Sequence, residues 1–175
     1  MILKNVTDTR LVLAIITLVV ISGTTIITTQ VLGIKFAASM SGDQLSPPTD
    51  TSVNGNASFR TTSHDTVIKY KIKVAGSSDV TSADIHMGKK GENGETVVDL
   101  LKDSKKNGIK METSIRGNIT SSDLKGPLKG KMIAELISAM SNGSTYVSID
   151  TPYHENGEIR GQIDLLRNVN SAKLK

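Results

Sequence analysis

The chain has 175 residues, a formal net charge of +4, no cysteine and only 3% aromatic residues. The missing cysteines exclude disulfides, thiolate-bound metal and thiol catalysis together, and a core without tryptophan must be built from Ile, Val, Leu and Met. The mild, dispersed positive charge offers no clustered basic face with stacking aromatics, so nucleic acid is not an expected partner.

Residues 1–10 form a short leading segment with Lys4, Asp8 and Arg10. From Leu11 to Ile34 the chain runs LVLAIITLVVISGTTIITTQVLGI without a charge. As a helix rising about 1.5 Å per residue it would be roughly 36 Å long, enough to cross a hydrocarbon core of about 30 Å. Two readings stand, an uncut transmembrane signal anchor and a cleaved signal peptide. The small-residue site Ala37-Ala38-Ser39 falls inside the predicted first strand, and Val31-Leu32-Gly33 is weaker, so length and cleavage chemistry favour the anchor. Lys4 and Arg10 ahead of the run place the N-terminus in the cytoplasm and the remainder outside, with a secreted, cleaved form as the alternative. A lipid membrane is thus an expected partner through residues 11–34.

Residues 35–166 read as one β domain, followed by a polar tail over 167–175. Five Asn-Gly pairs, at Asn54, Asn93, Asn107, Asn142 and Asn156, supply the positive-φ dipeptide of tight hairpins and point to antiparallel sheet. Strands are predicted over 34–40, 57–62, 66–75, 82–87, 95–101, 109–120, 145–150 and 158–166. In the clearest, Ile68, Tyr70, Ile72 and Val74 share one face and Lys69, Lys71 and Lys73 the other, which reads as a solvated face. Over 129–141, Met132, Ile133, Leu136, Ile137 and Met140 recur at helical spacing and predict one amphipathic helix packed on the sheet. In the last strand Ile159, Gly161, Ile163 and Leu165 are expected inward, and Glu158, Arg160, Gln162 and Asp164 outward. The sequons at Asn56, Asn118 and Asn142 would accept glycans if the cell glycosylates exported proteins.

Chemistry-bearing residues are few. There is no Gly-x-Ser-x-Gly elbow, and Gly126-Pro-Leu-Lys-Gly130-Lys131 is one residue short of a phosphate loop. No catalytic set emerges, no cofactor is expected, and the chain does not read as an enzyme. The imidazoles are His64, His86 and His154. Asp84 and His86 project from the same face of one strand. If Asp150 lies on a neighbouring strand, the three would converge near Arg160 as a surface charge network or, in the sharper reading, as ligands of a divalent ion (copper, zinc or manganese), with His154 and His64 in reserve.

The assembled residues resemble the CHRD domain family. Phe36-Ala-Ala-Ser-Met-Ser-Gly42 with Pro47-Pro48 resembles its opening strand and paired prolines. Asp84-Ile-His-Met-Gly88, with Gly91 and Asn93-Gly94, is similar to its Ala-His-Ile-His-x-Gly block. Leu124-Lys-Gly126 and the helix after it resemble the family's middle. Tyr146-Val-Ser-Ile-Asp150-Thr151 and Gly157-Glu-Ile-Arg-Gly-Gln162 resemble its closing strands. The resemblance covers about 34–166 and implies a mainly β, antiparallel, sandwich-like domain with one helix. Its pattern usually carries histidine at the positions of Asp84 and Asp150, so a family-type histidine site is reduced here to His86. The combined expectation is a membrane-tethered extracytoplasmic binding or structural module meeting an extracellular protein or cell-envelope partner, with a metal-binding, redox-active domain as the alternative.

Overall fold

The computed structural model describes residues 14–21, 24–31, 33–62, 64–76, 79–102 and 114–166. The leading residues 1–13, the 109–113 part of the predicted sixth strand and the tail over 167–175 lie outside them. Two strands, β1 (Ala14–Ile21) and β2 (Thr24–Val31), pair antiparallel from Ala14↔Val31 to Ile21↔Thr24. The helix expected over 11–34 is not shown. The run is dense in Ile, Val and Thr, whose branched Cβ atoms favour extended backbone over helix. Among the described residues, no helix is long and apolar enough to cross a membrane.

The remaining strands form one continuous sheet. They are β3 (Lys35–Ser41), β4 (Asn54–Thr61), β5 (Ile68–Ala75), β6 (Ser82–Met87), β7 (Thr96–Asp99), β8 (Ser114–Ile119), β9 (Thr145–Asp150), β10 (Ile159–Gln162) and β11 (Asp164–Leu165). Their order is β7-β6-β9-β10-β3-β4-β5-β8, with β11 also on β3 and every pairing antiparallel. The sheet curls nearly into a barrel. Tyr70 of β5 donates its hydroxyl to the carbonyl of Leu100, just past β7, at 2.6 Å, and joins the two ends. This corrects the sandwich expectation: alternation tells which face of a strand is buried but not whether a second sheet or the same sheet lies opposite.

The interior is one cluster that includes Phe36, Met40, Phe59, Ile68, Ile72, Ile85, Leu100, Ile119 and Ile149. The helix α1 (Ile133–Ser141) packs Ile133, Leu136, Ile137 and Met140 onto it. It begins four residues later than the periodicity predicts. Met132 stands at its N-cap and is exposed, and the Ser121 hydroxyl takes the Ile133 N–H instead.

The first strand occupies the middle of the sheet. β3 pairs β4 on one side and β10 and β11, from the far end of the domain, on the other. Between β10 and β11, Ile163 turns inward and its N–H bonds the Thr145 carbonyl at 3.0 Å.

Candidate functional site

The outer face of β6, β9 and β10 carries the chemistry. Outward on β6 stand Ser82, Asp84 and His86; outward on β9 stand Tyr146, Ser148 and Asp150. The register sets Asp150 opposite Ser82, Ser148 opposite Asp84, and Tyr146 opposite His86. Asp84, His86, Tyr146, Ser148 and Asp150 floor a groove of about 640 Å3. Its walls are Leu45–Thr49, the Asn93-Gly94 turn, and the segment 153–157.

Asp84 and Asp150 are diagonal neighbours. Burial, with the Asp84 charge close by, pushes the Asp150 carboxyl up to about 6, against a hydrogen bond from Ser148 that opposes the rise. Asp84 takes a hydrogen bond from the Ser82 hydroxyl. His86 stands two positions beyond Asp84 on the same face of β6, about 7 Å at a strand's rise, and four positions from the Ser82–Asp150 pair, about 13 Å. Its ring stacks on Tyr146, centroids 5.0 Å apart and planes within 7°. His86 Nδ1 lies 3.0 Å from the Gly94 carbonyl; a carbonyl only accepts, so Nδ1 carries the hydrogen and Nε2 is the acceptor of the neutral ring. His154 also lines the groove, with Nε2 3.9 Å from the buried Glu158 carboxylate. His64 sits in the β4–β5 turn, away from the groove. Among the described residues, no group of three or more His, Cys, Asp and Glu side chains is arranged to hold a metal ion.

Arg160 is the residue that alternation misplaces. Parity puts it outward on β10, yet it is only 1% exposed because the 88–94 loop folds over it. Its guanidinium donates to the carbonyls of Lys89 and Glu92, each at 2.8 Å, and to Asn93 Oδ1 at 3.3 Å. It also lies 3.5 Å over the Tyr146 ring, so Tyr146 is flanked by His86 from β6 and a cation from β10. Burial lowers the Arg160 pKa, and Tyr146 and Glu92 oppose that shift. Gln162 extends the staple: its amide nitrogen bonds the carbonyls of Gly88, Gly143 and Thr145. At Gly94 a Cβ would fall 1.8 Å from the Met87 carbonyl, so only glycine lets the loop return this closely to β6.

Glu158, also expected outward, is 3% exposed and accepts the hydroxyls of Thr51 and Thr151. The structure thus brings Asp84, Asp150 and His154 into one groove, holds His86 at its far end, and leaves His64 out. The sequence reading misses Tyr146, Tyr153 and Asn93. Tyr146 had a signal, since an outward aromatic is conspicuous in so aromatic-poor a chain. Tyr153, 85% exposed on the groove's lip, had none. The sequons place Asn56 and Asn118 exposed on β4 and β8, and Asn142 exposed at the C-cap of α1.

The model of the CHRD domain family matches residues 36–163. No curated protein and no solved structure matches the chain.

Proposed function

Because the chain belongs to the CHRD family, we propose that it is a membrane-tethered, extracytoplasmic binding or structural module without catalysis, whose recognition surface is the groove over β6 and β9. One observation carries the reading: the family match begins at residue 36, directly after the uncharged apolar run over 11–34. In lipid a lone two-stranded hairpin leaves the backbone groups of both edges unpaired, which hydrocarbon does not tolerate, so the membrane-inserted form of this run is the helix. Retention of the run is supported by β3. Cleavage at Ala37–Ser39 would remove Phe36, which is fully buried. The domain then faces outside, with Lys4 and Arg10 on the cytoplasmic side. The groove, with a carboxylate pair on its floor and an exposed Tyr153 on its lip, suits recognition of a cell-envelope or extracellular protein partner.

The test is fractionation of cells making the full chain, with protease added from outside. Full-length protein in the alkali-resistant membrane fraction and digestion of the domain in intact cells are expected. Soluble cytoplasmic protein refutes the reading.

A second reading, a divalent cation at Asp84 and Asp150, rests on the crowding of those carboxylates. Two oxygen donors with serine hydroxyls beside them suit manganese better than copper or zinc, and the cation would keep most of its shell as water. Metal analysis after incubation with each ion decides it: a stoichiometric ion lost in Asp84→Asn supports it, and metal-free protein ends it.

A further inference from the structure

The outer face of β3, β4, β5 and β8 gathers cations from four separate stretches of sequence. The register aligns Lys35, Arg60 and Lys69 in one row across β3, β4 and β5, with Asn118 of β8 at its end. The next row holds Ala37, Ser58, Lys71 and Arg116, and the third Ser39, Asn56, Lys73 and Ser114. Those four strands contain no Asp or Glu. Two shallow troughs of about 310 and 330 Å3 run between the lysine stems and meet at Lys71. Like charges set opposite one another across strands are unfavourable, so this arrangement asks for an anion.

The first row lies where the apolar run ends. Lys35 opens β3 immediately after residue 34, and one residue spans less than about 4 Å. Strands stand about 4.8 Å apart, so Arg60 and Lys69 follow within roughly 10 Å of Lys35. Leu166, 51% exposed, lines the trough beside Lys35 and Arg60, and its N–H bonds the Lys35 carbonyl at 2.9 Å. An apolar side chain among cations, at the end of an apolar segment, matches the depth profile of a bilayer interface. Among the described residues, other charged groups at this end include His64 and Asp65 in the β4–β5 turn, Asp123 just after β8 with its ion-pair partner Lys102, and Asp164 of β11 opposite Ala37.

We propose that the Lys35–Arg60–Lys69 row, with Leu166, docks the domain onto anionic lipid headgroups of the membrane that holds its own apolar segment. The inference rests on the tether proposed above. Successive rows recede by about 7 Å along the strands. At physiological salt the Debye length is about 8 Å, so Lys71 and Arg116 contribute weakly and Lys73 hardly at all. Each cation of the first row is worth about fivefold in the docked-to-free ratio.

The test uses the full chain reconstituted in vesicles of neutral phosphatidylcholine, with or without phosphatidylglycerol. Because the chain has no cysteine, Ser58→Cys on the basic face and Glu155→Cys on the groove side each carry one fluorophore, read by quencher attached to headgroups. Stronger quenching at position 58 than at 155, only with phosphatidylglycerol and reversed by salt, is expected. Arg60→Glu with Lys69→Glu abolishes the difference, whereas Lys73→Glu retains most of it. Equal quenching at both positions, indifference to lipid charge, or a Lys73→Glu effect as large as the first-row effect overturns the proposal. So does binding of soluble polyphosphate to this face with no headgroup quenching, or a glycan on Asn118 in the mass spectrum of the native chain. Failure of the chain to float with any vesicle overturns the tether itself, a result separable from loss of docking in a chain that still floats.

Discussion

Two halves of one sheet turn opposite outer faces to solvent. Over β6, β9 and β10 the outward side chains are Asp84, Asp150, Tyr146 and Arg160, and loops fold down on them until Arg160 and Glu158 are buried. Over β3, β4, β5 and β8 the outward side chains are mostly lysine, arginine, serine and asparagine, and Lys35, Arg60, Lys69, Lys71, Lys73 and Arg116 stand exposed. The inner faces of both halves share one aliphatic core. Hydrophobic alternation therefore builds both halves alike, and what distinguishes them is long-range polar bonding. The covered half holds its polar groups by bonds to distant loops, while the open half leaves its charges to solvent.

The largest expected effect breaks the covered half. Arg160→Ala removes the donors to Lys89, Glu92 and Asn93 and should destabilise the domain by about 3 kcal/mol, since bonds to a charged group are worth about 1.5–3 kcal/mol each and the loss is partly relieved by water. Arg160→Lys should recover only part of this, because an ammonium lacks the planar fork. Urea unfolding measures both, and a cost below about 0.5 kcal/mol, the level of an ordinary surface change, would remove the distinction between the halves.

Glu158→Ala comes next. It strands the hydroxyls of Thr51 and Thr151 and should cost about 2 kcal/mol in the same measurement.

The third effect is a pH slope. Asp150 titrates at about 6 when folded against an ordinary 3.8, so between those values the folded state holds a proton that the unfolded chain has lost. Stability should fall as pH rises from 3.8 to about 6 and contribute no further slope above it. Asp150→Asn should flatten that interval, and Asp84→Asn should shallow it; a slope unchanged in Asp150→Asn would place its origin elsewhere.

The smallest effect belongs to the open half and has the opposite sign. Arg60→Glu sets a carboxylate between Lys35 and Lys69 and should stabilise the domain by about 0.5 kcal/mol at low salt, fading as salt rises. A loss of stability there would mean that the row is already balanced by groups outside these strands.

How much of this was legible follows the same division. The alternation of Ile68, Tyr70, Ile72 and Val74 against Lys69, Lys71 and Lys73 marked both faces of β5 correctly, because burial of a strand face is a local pattern. The strands Ser82–Met87 and Thr145–Asp150 and the apolar face of α1 were legible for the same reason. Whether Asp84's strand pairs with Asp150's was left open by the sequence, as was their register, and the register sets His86 four positions from Asp150 but two from Asp84. Arg160 and Glu158 were read as solvated because parity sees only the strand and not a loop arriving from residues 88–94 or 49–51. The basic row escaped notice because Lys35, Arg60 and Lys69 are distant in sequence and adjacent only across strands.

The central position of β3 has a bearing on biogenesis. The earliest strand of the domain to be synthesised stays half-paired until the latest, β10 and β11, are delivered beside it. A chain threaded outward through a translocon would hold that open edge until nearly all of the domain had emerged; it would then fold in the final stretch of export, and the waiting edge would be a natural client for a chaperone on the far side.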